Sequence, residues 1–306
     1  MSTNQLRNGL SAHATPPPSN GDAAPAAPSI VFQGGEAVVS ALAGPVASVA
    51  PQPAAPTEPV EKKNPTSILV IDIGGTKIKI LAAGQTESRK ASSGKLFTPA
   101  KLVETVRKLA QDWEYDAVSV GYPGLTGAHG PRSEPGNLGP GWVGFDYAAA
   151  LGKPVKLIND ASMQALGSYE GGRMLFIGLG TGVGSTLITG NVIVPLELGH
   201  LLYDKNCTLN DVLSRRGLRQ LGKSEWRGAV NHAVTALMRA FVADYVVVGG
   251  GNAKNVKELP PGVRRGHNLT AFRGGFRLWS VDDVFVLAAA GEPAPAPVGQ
   301  VEMRVL

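Results

Sequence analysis

The chain has 306 residues, 43% of them hydrophobic and 17% charged, which is enough for one large domain or two ordinary lobes around a sizeable core. The 29 Lys and Arg against 24 Asp and Glu give a formal net charge of +5, which permits a polyanionic partner without requiring one. The single cysteine, Cys207, excludes an internal disulfide and any metal site built from several cysteines, and it fits a reducing compartment.

The first 66 residues differ from the rest of the chain. They hold 11 of the 23 prolines and one aromatic residue, Phe32, so they cannot bury enough apolar surface to offset chain entropy. They also lack a signal peptide, and no apolar run reaches the roughly 18 residues that span a bilayer. We expect a disordered Pro/Ala-rich arm over 1–66 and a C-terminal tail over 281–306, on a cytoplasmic protein with no membrane partner. A short docking helix within 30–50 remains an alternative to an unstructured linker.

Between these ends, strand and helix patterns alternate. SILVIDIG and KIKILAAG predict a hairpin, PAKLVETVRKLAQDW a helix, and DAVSVGYPG a strand. KPVKLIND predicts a strand, ASMQALGSYEG a helix, and RMLFIGLGTGVGSTLITG a second strand–glycine turn–strand unit. NDVLSRRGLRQL and EWRGAVNHAVTALMRAFVA are typical of helices, and DYVVVGGGNAKNV of a strand that ends in glycines. The alternation predicts the α/β class, and the repeated unit predicts two lobes, 67–158 and 159–280, around a shared cleft.

The first of the two turns, in IDIGGTKIK, combines glycines with charged groups. Gly74 and Gly75 let the backbone bring its N–H groups close to an anion, and Thr76 and Lys77 add donors and charge. Asp72 fits a phosphate site only if a divalent cation, most simply Mg²⁺, lies between the carboxylate and the phosphate. An ordinary hairpin tip with a solvated Asp stays open as the alternative.

The second turn, in GLGTGVGST, places Gly180, Thr181 and Gly182 after another apolar strand. It is not a Rossmann fingerprint, because no placement gives G-x-G-x-x-G and a strand follows it. Two such turns would close on a phosphate chain from opposite sides. A third cluster, Gly249–Gly251 with Asn252, predicts a close approach of the backbone to a flat ligand, with a tight helix entry as the alternative.

Polar residues that suit a sugar follow two other elements. Asn159 and Asp160 end the strand KPVKLI, and Glu197 and His200 lie in PLELGHLL. A sugar needs donors and acceptors around its hydroxyls, and a kinase needs a carboxylate that takes the proton from the attacking hydroxyl. Two structural alternatives remain open, a helix N-cap for Asp160 and a satisfied structural histidine for His200.

Residues 217–224, GLRQLGKS, fit the P-loop pattern G-x-x-x-x-G-K-[ST] letter by letter. The preceding NDVLSRR is typical of a helix and not of a strand, so we interpret the match as chance. The surroundings are basic, and spacings of four predict that Arg215, Arg219 and Lys223 share one helical stripe. Such a stripe would suit polyphosphate near the cleft, and an ordinary solvated helix face is the alternative.

Taken in order, DIGGTK, PGNLGPGW, NDA, GLGTGVG, ELGH and VVVGGGN resemble the motifs of the ROK family of bacterial sugar kinases and sugar-responsive repressors. The resemblance covers about residues 67–280. NAKNVKELPPG followed by FRGGFRLW is similar to the polyphosphate glucokinase-like branch. The resemblance implies a two-lobed actin-like and hexokinase-like ATPase fold with ribonuclease H-like repeats.

The resemblance also implies a role for each matching residue. Asp160 is similar to the family's catalytic base, and Asn137, Asn159, Glu197 and His200 match sugar ligands. Two segments match the family's phosphate loops: Gly74, Gly75, Thr76 and Lys77, and then Gly180, Thr181 and Gly182. A third segment matches the adenosine loop: Gly249, Gly250, Gly251 and Asn252. The implied reaction is phosphoryl transfer from ATP or polyphosphate to the 6-hydroxyl of glucose with Mg²⁺, in carbohydrate metabolism and glycolysis.

Three departures from the family pattern qualify these expectations. Many members carry a Cys-rich zinc motif after ELGH, which a chain with only Cys207 cannot form, so no zinc is expected. A further sugar-binding Glu usually follows; here the sequence reads TLNDVL, and Asn210 or Asp211 would have to substitute. The repressors carry an N-terminal helix-turn-helix that the arm does not offer, so no nucleic acid partner is expected. A homodimer, a non-catalytic sugar sensor and an ATPase with a non-sugar substrate stay open.

Overall fold

The computed structural model describes residues 65–127, 129–267 and 269–280, together with the backbone of 286–287. The predicted N-terminal arm, apart from its last two residues, and most of the predicted C-terminal tail lie outside the described residues. The helices are α1 (Pro99–Leu109), α2 (Tyr147–Leu151), α3 (Asp160–Ser168), α4 (Leu209–Leu213), α5 (Arg215–Ala240) and α6 (Thr270–Arg277). The strands are β1 (Ile68–Ile73), β2 (Lys77–Ala82), β3 (Arg89–Ser92), β4 (Ala117–Tyr122), β5 (Thr126–Gly127), β6 (Gly130–Pro131), β7 (Val155–Asn159), β8 (Met174–Leu179), β9 (Val183–Thr189), β10 (Val192–Leu196), β11 (Tyr245–Gly249), β12 (Val263–Arg265) and β13 (Val286–Leu287).

The first sheet has the strand order β3-β2-β1-β4-β7. β1 and β2 are antiparallel, as the predicted hairpin requires, while β4 runs parallel to both β1 and β7. The side chains of β4 are buried along its whole length, as expected for a strand covered on both faces. One face packs against α1, whose apolar positions Leu102 and Val106 are fully buried, and against the buried ring of Trp142. The predicted first helix and strands are therefore confirmed.

The second sheet has the order β12-β11-β8-β9-β10-β13. β8 and β9 form the second predicted hairpin, and β11 runs parallel to β8. α4 and α5 cover one face of this sheet, where Trp226 and Val230 pack against Leu175, Ile177 and Val248. The α/β class is therefore confirmed, and none of the helices described combines the length and apolar character that a membrane span requires.

The P-loop-like segment GLRQLGKS lies inside α5, and the helix resumes after it. A P-loop needs a strand before the glycine-rich loop, so the interpretation as a chance match is confirmed. Gly222 within the segment has φ 73° and ψ 170°, which kinks the helix there. The prediction of one stripe through Arg215, Arg219 and Lys223 is wrong for Lys223, because the kink breaks the helical spacing between Arg219 and Lys223.

Helices α3 and α6 lie between the two sheets and pack tightly against each other. On one side α3 contributes Ala165 and Leu166 to a cluster with Phe176 of the second sheet. On its other side Met163 joins a cluster with Val70 of the first sheet and residues of α6. Helix α6, which comes from the end of the described chain, thus covers part of the first sheet. The division into lobes at 158/159 stays a prediction.

Glycines set the distance between α3 and α6. A Cβ at Gly274 would lie 1.8 Å from the Met163 carbonyl oxygen, and a Cβ at Gly167 would lie 1.8 Å from the Thr270 carbonyl oxygen. Real Cβ atoms do not approach backbone atoms so closely, so only glycine lets the two helix backbones touch here. The contact fixes where the N-terminus of α3 lies between the sheets.

Candidate active site

A cleft of about 480 Å³ receives residues from both sheets. The turn between β1 and β2, the turn between β8 and β9, and the start of α3 all line it. The residues predicted for phosphate, sugar and catalysis that line this cleft are Asp72, Gly74, Gly75, Thr76, Lys77, Asn137, Asn159, Asp160, Gly180, Thr181, Gly182, Glu197, His200, Gly250 and Gly251. Of the predicted site residues, Gly249 and Asn252 do not line it.

The first glycine turn is closed by its own backbone. The Gly74 N–H donates to the Lys77 carbonyl oxygen at 3.0 Å, and the Ser93 hydroxyl donates to the Gly74 carbonyl oxygen at 2.7 Å. A Cβ at Gly74 would lie 2.8 Å from the Lys77 oxygen, so a larger residue would open the turn. Among the described residues, no acceptor pairs with the N–H groups of Gly75 and Thr76. Two donors are therefore available to an anion.

The second glycine turn is held by its neighbours in the second sheet. The Gly180 N–H donates to the Gly182 carbonyl oxygen at 3.0 Å, and the Asn210 side-chain oxygen accepts from the Val183 N–H at 3.0 Å. The Asn252 amide donates to the Gly180 carbonyl oxygen at 3.2 Å, which gives Asn252 a supporting position behind the turn. The N–H groups of Thr181 and Gly182 have no acceptor within the described part of the chain, which again leaves donors for an anion.

The third glycine cluster has two internal causes. A Cβ at Gly249 would lie 2.5 Å from the Phe176 ring, so glycine is required there by packing. Gly250 has φ +79° and a Cβ there would lie 2.6 Å from the Leu179 carbonyl oxygen. Only Gly251 combines a position on the cleft with open space around its Cα. Within this cluster, only Gly250 and Gly251 line the cleft and are placed to contact a ligand.

Asp160 is the first residue of α3, where the helix enters the space between the sheets. The N-cap is Asn159, whose side-chain oxygen accepts from the N–H groups of Ala161 at 2.9 Å and Ser162 at 3.1 Å. The alternative that made Asp160 the N-cap is therefore wrong, because its neighbour already caps the helix. The Asn159 amide also donates to the Gly124 carbonyl oxygen at 3.1 Å, so most of its hydrogen-bonding capacity is used internally.

The environment of Asp160 favours its neutral form. Burial, and then the nearby charge of Asp72, raise the pKa of Asp160 to about 7, while the Ala161 N–H at 2.8 Å acts in the opposite direction. The N-terminus of α3 packs closely against a glycine of each sheet. A Cβ at Gly121 of β4 would lie 3.5 Å from the Asp160 Cα, and a Cβ at Gly184 of β9 would lie 2.7 Å from the Ala161 Cβ. The site thus holds a carboxylate that changes charge near neutral pH.

Asp72 is the second acid in the cleft. Its carboxylate is 13% exposed, and its partner is the Lys79 ammonium at 3.5 Å. Burial raises the pKa of Asp72, and the charge of Lys79 opposes that shift. A carboxylate with a single long contact keeps lone pairs for a hydrated divalent cation, so its chemistry fits the predicted role.

The predicted sugar ligands differ in exposure. Glu197 precedes a short 3-10 turn and His200 is its last residue. The His200 Nε2 lies 4.0 Å from the Glu197 carboxylate, and the side chains of His200 and Glu197 are 85% and 52% exposed. Asn210 lines the cleft, whereas the Asp211 carboxylate accepts from the backbone and hydroxyl of Thr208 in a capping box. Of the two residues that sequence analysis offered for the missing Glu, Asn210 is the one that lines the cleft.

Among the cleft residues that sequence analysis did not assign to the site are three with long polar or charged side chains: Lys79, Gln164 and Arg215. Alternation along KIKI places Lys79 on the same face of β2 as Lys77, and spacing of four places Gln164 one turn after Asp160. Both signals were present in the sequence. Sequence analysis named Arg215 only as part of the basic stripe. Its position on the cleft could not be predicted, because it depends on how α5 begins.

Comparisons with known proteins agree with this geometry. No protein-family model matches the chain. It is 24% identical over 212 residues to the polyphosphate glucokinase of Mycobacterium tuberculosis (strain CDC 1551 / Oshkosh), a match that spans 62% of this chain and 80% of that protein. The inorganic polyphosphate/ATP-glucomannokinase from Arthrobacter sp. strain KM superimposes with a TM-score of 0.59 at 25% identity, over 70% of this chain and 97% of that one.

The chain resembles polyphosphate glucokinases in sequence and ROK family sugar kinases in fold. A ROK family glucokinase from Streptomyces griseus, solved with glucose and AMPPNP, superimposes with a TM-score of 0.54 over 70% of this chain and 99% of that one. It is 16% identical to this chain, so it supports the fold and no residue role. The expected two-lobed actin-like and hexokinase-like ATPase fold is confirmed.

Proposed function

We propose that this protein is a sugar kinase of the ROK type that transfers a phosphoryl group from ATP or polyphosphate to the 6-hydroxyl of glucose. One observation carries the proposal: a buried carboxylate, Asp160, lies in a cleft that two glycine turns from different sheets also line. The combination of a proton acceptor with two sets of backbone donors suits phosphoryl transfer to an alcohol. The relatives named above support a sugar as the acceptor and either donor.

In the proposed reaction, Asp160 takes the proton from the attacking sugar hydroxyl as its oxygen bonds to the terminal phosphorus. The bond from that phosphorus to the bridging oxygen of the donor breaks. The charge that collects on the phosphoryl oxygens is met by the N–H groups of Gly75, Thr76, Thr181 and Gly182. Positioning and electrostatics supply most of the rate, and the base adds roughly 10²–10⁴-fold.

Cations complete the proposed phosphate site. Lys77 and Lys79 line the cleft on the side of the first glycine turn. Asp72 would hold Mg²⁺, in part through waters, and the ion when bound would offset charge on the donor phosphates. Among the described residues there is no cluster of three or more His, Cys, Asp or Glu side chains that forms a protein cage, so the donor and water must supply the other ligands.

The sugar would lie beside Asp160, with its 6-hydroxyl between the carboxylate and the terminal phosphorus of the donor. Asn137 and Asn210, with Glu197 and His200, would bind its hydroxyls, and Asn159 would contribute its remaining amide hydrogen. A Cβ at Gly75 would lie 3.2 Å from the Asn137 Cβ, so the loop that carries Asn137 touches the first phosphate turn. Sugar and donor sites would therefore be coupled through this contact.

The test is an assay for glucose 6-phosphate with the purified full-length chain, glucose and Mg²⁺, and either ATP or polyphosphate. The proposal expects product with at least one donor. Glucose binding by calorimetry without product from either donor would instead establish a non-catalytic sugar sensor. ATP hydrolysis that glucose does not accelerate would establish an ATPase with another substrate.

The rate is expected to depend on the ionisation of Asp160. Because the base must be ionised and the pKa of Asp160 is raised to about 7, kcat/KM should rise with pH up to about pH 7 and level off above it. Below that point it should fall about tenfold per pH unit. The measurement is kcat/KM for glucose from about pH 5.5 to 8.5 at fixed ionic strength. A flat profile over this range would contradict the assignment of Asp160 as the base.

A further inference from the structure

The loop between β6 and α2 carries Asn137 to the cleft. Between Glu134 and Trp142 this loop reads PGNLGPG, in which five of the seven residues are Gly or Pro. Glycines leave the backbone many accessible conformations, so such a loop needs contacts that select one of them. The Asn137 side chain makes no hydrogen bond to another described residue. The position of its amide therefore depends on what holds the backbone of the loop.

The Glu134 side chain joins the two ends of this loop. Its Oε1 atom accepts hydrogen bonds from the backbone N–H groups of Trp142 at 3.1 Å and Val143 at 3.2 Å. Its Oε2 atom lies 3.2 Å from the Trp142 nitrogen. Hydrogen bonds to an ionised carboxylate are roughly twice as strong as those between neutral groups. A charged acceptor at the first position of the loop thus holds the backbone at the last.

The end of the loop that Glu134 binds is fixed in the core of the first sheet. Trp142 is fully buried, and its ring stacks on Phe97 with centroids 6.4 Å apart. The Trp142 indole N–H donates to the Gly139 carbonyl oxygen at 2.6 Å, and the Gly139 N–H donates to the Phe97 carbonyl oxygen at 3.0 Å. Glu134 therefore ties the start of the loop, which precedes Asn137, to an anchored end.

The first phosphate turn touches Asn137 but is held independently of this loop. A Cβ at Gly75 would lie 3.2 Å from the Asn137 Cβ. The turn keeps its shape through the bond from the Gly74 N–H to the Lys77 carbonyl oxygen and the bond from the Ser93 hydroxyl to the Gly74 carbonyl oxygen. A loop that opens would therefore displace Asn137 and leave the hydrogen bonds of the phosphate turn in place.

We propose that Glu134 is a positioning residue for the sugar: it closes the loop 135–141 and so holds Asn137 ready for a sugar hydroxyl. The inference rests on the proposed kinase function and adds a residue that is not among those lining the cleft. An unclosed loop would place Asn137 correctly only part of the time, and the apparent sugar affinity falls by that fraction. With the sugar bound, the reacting atoms are unchanged, so kcat is retained.

The experiment compares Glu134→Ala and Glu134→Gln with wild type, and uses Glu104→Ala on the exposed face of α1 as the matched control. Kd for glucose is measured by calorimetry, and KM and kcat by steady-state kinetics with saturating donor. Glu134→Ala is expected to raise Kd and KM for glucose about tenfold and to keep kcat within about threefold of wild type. Glu134→Gln should raise them less than about threefold, because one amide oxygen can still accept from both N–H groups. Glu104→Ala should match wild type.

A double substitution tests whether Glu134 acts through Asn137. In the Asn137→Ala background, Glu134→Ala should raise KM for glucose by less than about twofold, because the side chain that it positions is already absent. A tenfold increase in both backgrounds would show that Glu134 supports the protein in general and would overturn the positioning role.

The remaining outcomes separate the positioning role from the kinase function. If wild type phosphorylates glucose and Glu134→Ala has unchanged Kd and KM, or loses kcat alone, the role fails while the function stands. Equal losses in Glu134→Ala and Glu134→Gln would assign the effect to charge and not to loop closure. Wild type that binds glucose but forms no product would end the kinase proposal, and the Kd values would still decide the role of Glu134. Wild type that neither binds nor phosphorylates glucose would overturn both.

Discussion

Asp160→Asn is expected to lower kcat for glucose phosphorylation by roughly 10²–10⁴-fold while leaving KM for glucose nearly unchanged. The amide has almost the same shape as the carboxyl group, so the sugar and donor sites keep their geometry. It cannot accept the hydroxyl proton, because it lacks a basic oxygen at any working pH. The measurement is steady-state kinetics with saturating donor, with glucose binding checked by calorimetry.

The matched control is Asp146→Asn, which makes the same chemical change at the exposed N-cap of α2. Asn caps a helix as well as Asp does, so this variant should retain wild-type stability and turnover. An Asp160→Asn enzyme within about threefold of wild type would remove Asp160 from the mechanism. In that case another group must accept the proton.

The same substitution carries an expectation for stability. The pKa of Asp160 is raised in the folded protein, so the fold favours the protonated acid and loses stability as pH rises from about 4 to about 7. Asn carries no charge at any pH in that window. The free energy of unfolding of Asp160→Asn should therefore equal or exceed that of wild type above pH 7, which excludes misfolding as the cause of lost turnover.

Gly274→Ala is expected to destabilise the protein by at least about 1–3 kcal/mol, a large effect for one methyl group. The new Cβ would lie 1.8 Å from the Met163 carbonyl oxygen and 2.9 Å from the Gly167 N, both backbone atoms that cannot rotate away. Helices α3 and α6 must then separate. The measurement is urea unfolding followed by circular dichroism, with the midpoint compared at equal slope.

Gly228→Ala provides the control for this substitution. Gly228 lies in α5, is exposed, and has open space where a Cβ would be added. Alanine there should stabilise the protein by about 0.5–1 kcal/mol, because it reduces the entropy of the unfolded chain without a clash. Equal effects of the two alanines would contradict the tight helix contact.

Sequence patterns predicted the parts of the fold that depend on neighbours along the chain. The hairpins around residues 74–77 and 180–182 follow from apolar runs that break at glycines, and Asp160 follows from the polar end of the strand β7. The contact of Gly167 with α6 did not follow, because its partner is more than a hundred residues away and isolated glycines are typical of loops. Local sequence patterns contain no information on which distant segment will pack against a given glycine.

Two further differences have the same physical origin. In Asn159-Asp160 both residue types favour an N-cap, and only the entry geometry of α3 decides that Asn159 takes the position. Gly249 was interpreted as a ligand contact, yet the Phe176 ring on the adjacent strand accounts for it. Sequence gave the residue types that suit phosphate and sugar chemistry, while tertiary packing decided which of them reach the cleft.

The position of α6 has a consequence for biosynthesis. One face of the first sheet, with Val70, is covered by Met163 of α3 and by Phe272 of α6. A ribosome makes the strands of that sheet first and the residues of α6 more than a hundred positions later. The apolar face of the nascent sheet therefore stays uncovered until α6 has left the ribosome. Truncation before residue 270 should leave an insoluble product, even though every residue of the proposed catalytic cleft would be present.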